Sequence, residues 1–202
     1  ECAHALGRTA EQAELEEAAG KTSTISGNLI AAAGHFERAL ALTEDPIARA
    51  RLQTQAAGSL VINADPRGLA YAHEALTVLD PTSHRVETAT ALMIEARFHH
   101  LSGQHRKAAG LLERAAALAT PPEGDALSTL HASTLIQIHA YTAAAYQHQG
   151  LFEQADRWAE KAIAFGERQS LLWAQAVGYE FLGENAWGTG AWEAGLEYAE
   201  KE

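Results

Sequence analysis

Histidine is the side chain most able to do chemistry in this sequence, which carries ten of them against a single cysteine, Cys2. Metal ligation needs imidazoles that converge. His99, His100 and His105 form one group, but neighbours on a helix point about 100° apart, which keeps His99 and His100 from turning to one ion. His131 and His139 share a helix face as an i,i+8 pair, about 12 Å apart in rise, and the position midway between them is Leu135, which has no ligand atom. Neither group has the i,i+4 histidine pair of a helical zinc site, so no metal is expected. Gly20-Lys21-Thr22 has the ending of a phosphate-cradling loop, but the glycine such a loop requires five residues earlier is Leu15, and no strand precedes it. We read it as a helix end. A nucleophile elbow is missing, and Cys2, at the very start of the sequence, is not expected to be activated by a base. The residue types therefore predict a chain without catalytic residues or a bound cofactor.

The elements that must position these side chains announce themselves through alanine and glycine. Five sets recur with gaps of 12 and then 7 residues: Gly20, Ala32, Ala39; Ala56, Gly68, Ala75; Ala96, Ala108, Ala115; Ala143, Ala155, Ala162; and Gly183, Gly195, Glu202, only the last member breaking the rule. A turn-forming residue follows seven after each first member: Gly27, Asn63, Gly103, Gly150 and Gly190, spaced 36, 40, 47 and 40 apart. Helices approach to about 8 Å only where no bulky side chain stands between them. Small residues in this register therefore predict stacked helical hairpins, with Ala96 facing Ala108. Phe98, Leu112, Tyr146, Trp158, Tyr179 and Trp192 would fill the gaps.

Helices are expected at about 3–19, 28–43, 46–62, 66–79, 83–101, 104–119, 125–149, 151–168, 170–188 and 191–202. They pair as hairpins over 3–43, 46–79, 83–119, 125–168 and 170–202, within a single domain spanning 1–202. Asp45-Pro46, Asp65-Pro66 and Asp80-Pro81 read as helix starts, since aspartate caps free N–H groups and proline suits the first turn. Pro121-Pro122 and Gly124 mark the longest break. Alternating β-branched runs are absent. The formal charge of −11 argues against nucleic acid, which needs clustered Lys and Arg. A sequence with one cysteine, no secretory leader and no apolar run of the roughly 20 residues a membrane span requires fits the cytoplasm. It starts without Met and ends inside an expected helix, as a segment of a longer protein would.

These hairpins resemble tetratricopeptide (TPR) repeats. Residues 143–163 (AAAYQHQGLFEQADRWAEKAI) carry the family's small residue, Tyr146, the turn Gly150, Phe152, Ala155 and Ala162; Leu182-Gly183 with Gly190 and Trp192, and residues 102–118, match as well. The spacings exceed the family's 34 residues, and the aromatic after the turn is missing around Gly27, Asn63 and Gly103. Longer, variable repeats resemble helical segments of large bacterial regulators, namely the ATP-dependent LuxR-type transcription factors related to the maltose regulator, and multidomain cyclases; residues 36–52 (FERALALTEDPIARARL) have that texture. The resemblance implies an all-α, α-α superhelix of about five antiparallel hairpins. It also implies a concave groove lined by first helices, exposing Arg97, His100, Gln137, Gln147, His148, Glu180, Glu184 and Trp187. Trp187 would be an aromatic anchor there, or would pack against a following hairpin. One subtype grips chaperone tails with lysines and asparagines; Gln53, Ala57, Met93, Arg97, Ala140 and Ala144 stand at those positions, so that role is not expected. The implied function is a non-catalytic scaffold binding a partner protein or another domain of its own chain, in bacterial signalling or transcription regulation. The alternatives are a small-molecule sensor with an apolar pocket near Met93, Arg97, His100 and Tyr146, or a self-assembly scaffold pairing through Trp187, Trp192 and Tyr198.

Overall fold

The computed structural model describes residues 2–121 and 127–201, and all regular structure among them is helical. In chain order the helices are α1 (Cys2–Ile25), α2 (Leu29–Leu42), α3 (Pro46–Leu60), α4 (Pro66–Val78), α5 (Arg85–Leu101), α6 (His105–Ala119), α7 (Thr129–Gln147), α8 (Phe152–Gln169), α9 (Leu172–Thr189) and α10 (Trp192–Ala199). The chain forms two compact units, Glu1–Phe98 and His99–Glu202. In the first, α1 packs on α2, α2 on α3 and α3 on α4; in the second, each helix from α6 to α10 packs on the next, and α7 also meets α9.

Local chemistry sets the helix ends. Asp45 Oδ1 accepts the Ala48 N–H ahead of Pro46, and Asp65 Oδ1 accepts the Arg67 N–H ahead of Pro66. Asn28 and Ser128 cap α2 and α7 in the same way. Gly27, Gly103, Gly150 and Gly190 have φ between +70° and +82°, the left-handed conformation glycine adopts without a Cβ clash.

Four expectations about the elements need correction. Asn63 is not the left-handed residue of its turn. α3 runs on into a 3-10 turn, Val61–Asn63, and Ala64 takes that conformation at φ 50°. Asp80-Pro81 does not open a helix, because Asp80 Oδ1 accepts both the N–H and the hydroxyl of Thr82, which folds a turn before α5 starts at Arg85. The first helix continues to Ile25, so Gly20-Lys21-Thr22 lies inside it. Trp192, expected to fill a gap, is more than half exposed. Pro122, Gly124 and Glu202 lie outside the described residues.

All fourteen alanine and glycine positions of the register are buried. The geometry also refines why they are small. A Cβ on Gly183 would lie 3.9 Å from the Gly195 carbonyl oxygen, a backbone-to-backbone approach within the α9–α10 hairpin. At other glycines an aromatic ring takes the space. A Cβ on Gly20 would stand 2.6 Å from the Phe36 ring, and one on Gly195 2.7 Å from Trp187 Nε1; Gly68 seats Phe98 likewise. The repeat positions hold either a close helix pair or a ring pressed into the groove beside it.

Helix amphipathicity follows the packing. On α8 the buried set is Ala155, Ala159, Ala162, Phe165 and Gly166, one stripe at helical spacing. α7 is instead buried on several sides, by Leu135, Ile136, Ile138, Thr142, Ala143 and Ala145, as a helix packed against α6, α8 and α9 must be.

Candidate functional site

The first helices of the second unit, α7 and α9, carry most of the expected groove residues. At the C-terminal end of α7, Gln147 Nε2 donates to Glu184 Oε2 of α9 at 3.0 Å, so two successive first helices meet through their polar faces. His148, exposed, closes α7 as its C-cap residue. Its Nδ1 lies 2.8 Å from the Ala144 carbonyl oxygen, which can only accept, so Nδ1 carries a proton.

Beside His148 stands His100, at the end of α5. Their ring centroids are 4.8 Å apart. A third imidazole joins them: His105, the first residue of α6, lies 5.0 Å from His148 by ring centroid, and its Nδ1 is 3.3 Å from His100 Nδ1. Burial, and then the neighbouring His148 and His105, hold the His100 pKa down at about 4. Burial and His148 lower that of His105. At neutral pH His100 is therefore uncharged, and the 3.3 Å Nδ1···Nδ1 contact is a hydrogen bond in which one ring donates and the other accepts.

Sequence reasoning placed His100 and His148 on one face, and the fold brings them together. It also grouped His105 with His100, alongside His99, but did not join His148 to that group, and so missed the cluster. The signal was available: Gly103 reverses the chain between His100 and His105, and His148 precedes Gly150 much as His100 precedes Gly103.

The other expected residues have surroundings of their own. Gln137, half-buried, donates to Ser133 Oγ of its own helix at 3.3 Å. Glu180 is exposed on α9. Trp187, 47% exposed, lies edge-on to Trp192 at 5.2 Å and covers Gly195, so it packs against its own hairpin. Arg97 belongs to the first unit, where Glu95, buried on the same helix, lies 2.9 Å from His73 Nε2. Gln53 and Met93, at the chaperone-tail positions, are buried.

Of the residues of the expected apolar pocket, Met93 and Arg97 belong to the first unit and His100 and Tyr146 to the second. In the second unit a cleft of about 960 Å³ lies between α6, α7 and α8. Tyr146 borders a smaller hollow beside it, where its hydroxyl donates to Glu113 Oε1 at 2.6 Å; burial and that carboxylate push its pKa up to about 12.

No family model matches this sequence, and no curated protein is significantly similar to it. The fold itself is well represented among solved structures. The chain is similar to BtubC (BKLC) from P. vanneervenii, with a TM-score of 0.73 at 15% identity over 98% of this chain and 87% of that one. It is also similar to a kinesin light chain of Podosopora anserina with nearly identical TPR-like repeats, with a TM-score of 0.67 at 20% identity over 97% and 93%. A Rap protein complexed with competence and sporulation factor gives 0.69 at 19% identity over 94% of this chain; the chain spans 54% of that protein. The class defined by hairpins, register and neighbours is an all-α, TPR-like helical repeat fold. Among the described residues no helix is long and apolar enough to cross a membrane.

Proposed function

We propose that this chain is a non-catalytic TPR-like scaffold, one repeat domain over 1–202, that binds a partner protein or another domain of its own chain. Its setting in this reading is a cytoplasmic bacterial signalling or transcription-regulatory protein. The observation that carries the proposal is the Gln147–Glu184 hydrogen bond. It sets α7 and α9 side by side with their polar first-helix faces in register, and Glu180, Glu184 and His148 remain exposed along them. A row of carboxylates and amides on rigid helices suits an extended peptide better than a reacting small molecule. The net charge of −11 favours a basic segment as the partner. The similarity to a Rap protein solved with competence and sporulation factor supports the reading through the fold.

Calorimetry against the flanking domains of the parent protein, and against peptides selected from a random library, tests it. Binding that Glu184→Arg weakens at least tenfold supports the proposal. A panel with no binder, or binders indifferent to Glu184→Arg and Glu180→Arg, contradicts it.

Self-assembly is a second reading, favoured by one observation: Trp187, Trp192 and Leu196 are 47%, 56% and 58% exposed around the last hairpin. Light scattering would show a concentration-dependent dimer that Trp192→Ser dissolves; a monomer at all concentrations would rule it out.

A further inference from the structure

The cleft between α6, α7 and α8 is separate from the first-helix strip, and its chemistry is different. Its walls are apolar: Leu135 from α7, and Trp158 and Phe165 from α8. At about 960 Å³ it falls within the size range of small-molecule sites, which are concave, mostly apolar and fitted with a few polar groups. Those polar groups are present.

His139 lines the cleft from α7 and is only 7% exposed. Its ring sits between Trp158, with centroids 5.6 Å apart, and Phe165, at 6.5 Å and edge-on. Among the described residues its buried Nδ1 has no hydrogen-bond partner. Buried imidazole nitrogens are ordinarily satisfied, and leaving one unpaired costs about 1–3 kcal/mol.

Two cations border the same space. Lys161 and Arg168 stand seven residues apart on α8, on one helix face, and both line the cleft. Lys161 Nζ lies 3.4 Å from the Trp158 ring centroid. Among the described residues neither cation forms an ion pair. One carboxylate, Glu113, also lines the cleft, and it accepts the Tyr146 hydroxyl. Burial first, then Lys161 and Arg168, hold the His139 pKa down at about 4, so the imidazole is neutral; among the described residues the charged groups lining the cleft are Lys161, Arg168 and Glu113.

We infer that this cleft binds a small organic carboxylate with an aromatic or aliphatic body. The apolar body would lie against Trp158, Phe165 and Leu135. The carboxylate would sit between Lys161 and Arg168, and His139 would gain the hydrogen-bond partner it lacks. The inference does not depend on the first-helix strip, which it does not share.

The probes are 4-phenylbutyrate, its neutral isostere 4-phenyl-1-butanol and its cationic isostere 4-phenylbutylamine, titrated into the intact chain. Two readouts are the Trp158 indole N–H resonance, assigned with Trp158→Phe, and calorimetry. The acid should bind with Kd at or below about 1 mM and move the Trp158 resonance. The alcohol should bind at least tenfold more weakly, and the amine more weakly still. Lys161→Gln combined with Arg168→Gln alters only exposed side chains, so it should leave folding intact and weaken the acid at least tenfold. His139→Phe should weaken acid binding while the alcohol is unaffected. Three results would each overturn the inference: no Trp158 shift with the acid, equal affinity for acid and alcohol, or full acid affinity in the double variant. Loss of library-peptide binding with acid binding retained would sink the scaffold reading and leave this site standing.

Discussion

At the residue scale, the most consequential groups are histidines kept neutral. His139 has its pKa held at about 4 by burial and by Lys161 and Arg168, against about 6.5 when the chain unfolds. Between those values the unfolded chain binds more protons than the folded one, so stability rises with pH and is lost on acidification. The expected outcome is a urea midpoint that falls as pH drops from 7 to 5. His139 would account for about 1–2 kcal/mol of that loss. His100 should add a smaller contribution of the same sign, because solvent screens a half-buried ring. His139→Phe should flatten the profile; a profile as steep as that of the parent chain would show that the imidazole is not held neutral. None of this was legible in the sequence. His131 and His139 could be placed on one helix face from their spacing. That His139 would end between Trp158 and Phe165 depended on how α8 lies against α7.

At the element scale, packing makes opposite predictions for two glycines inside helices. A Cβ on Gly178 would press on the Ala159 carbonyl oxygen at 2.7 Å and on the Ile163 side chain, so Gly178→Ala should cost about 1–3 kcal/mol. Gly110, inside α6, faces open space. There Gly110→Ala should stabilise by about 0.5–1 kcal/mol through helix propensity. Ala108, fully buried on the same helix, should tolerate no enlargement, and Ala108→Leu should cost about 1–3 kcal/mol. Urea melts of the three variants check all of this; the same sign for Gly178→Ala and Gly110→Ala would contradict the packing.

Helices and turns were readable because capping and the left-handed turn are local effects. Asp45-Pro46, Asp65-Pro66 and the four left-handed glycines all do what their residue types dictate. The misreadings arose where two local solutions compete. Asp80 had Thr82 within reach and folded a turn with it; Asn63 yielded its place when a 3-10 turn carried the chain one residue further.

At the scale of the whole molecule, the TPR-like class was legible because the small residues recur in one register, and the fourteen described members are all buried. The candidate site was legible only in part. Carrying the register along the first helices put His100, Gln147, His148 and Glu184 in one set, and the structure sets Gln147 against Glu184 and His148 beside His100. Trp187 escaped that logic by folding back over Gly195, and His105 entered from a second helix. In the proposed function the first-helix face receives a protein segment. Hydrogen–deuterium exchange with a library-selected basic peptide tests this most directly. Added protection on the C-terminal half of α7 and on α9 around Glu180 and Glu184, lost in Glu184→Arg, is the predicted result. Protection confined to α6 and α8, or unchanged exchange at saturating peptide, would contradict it.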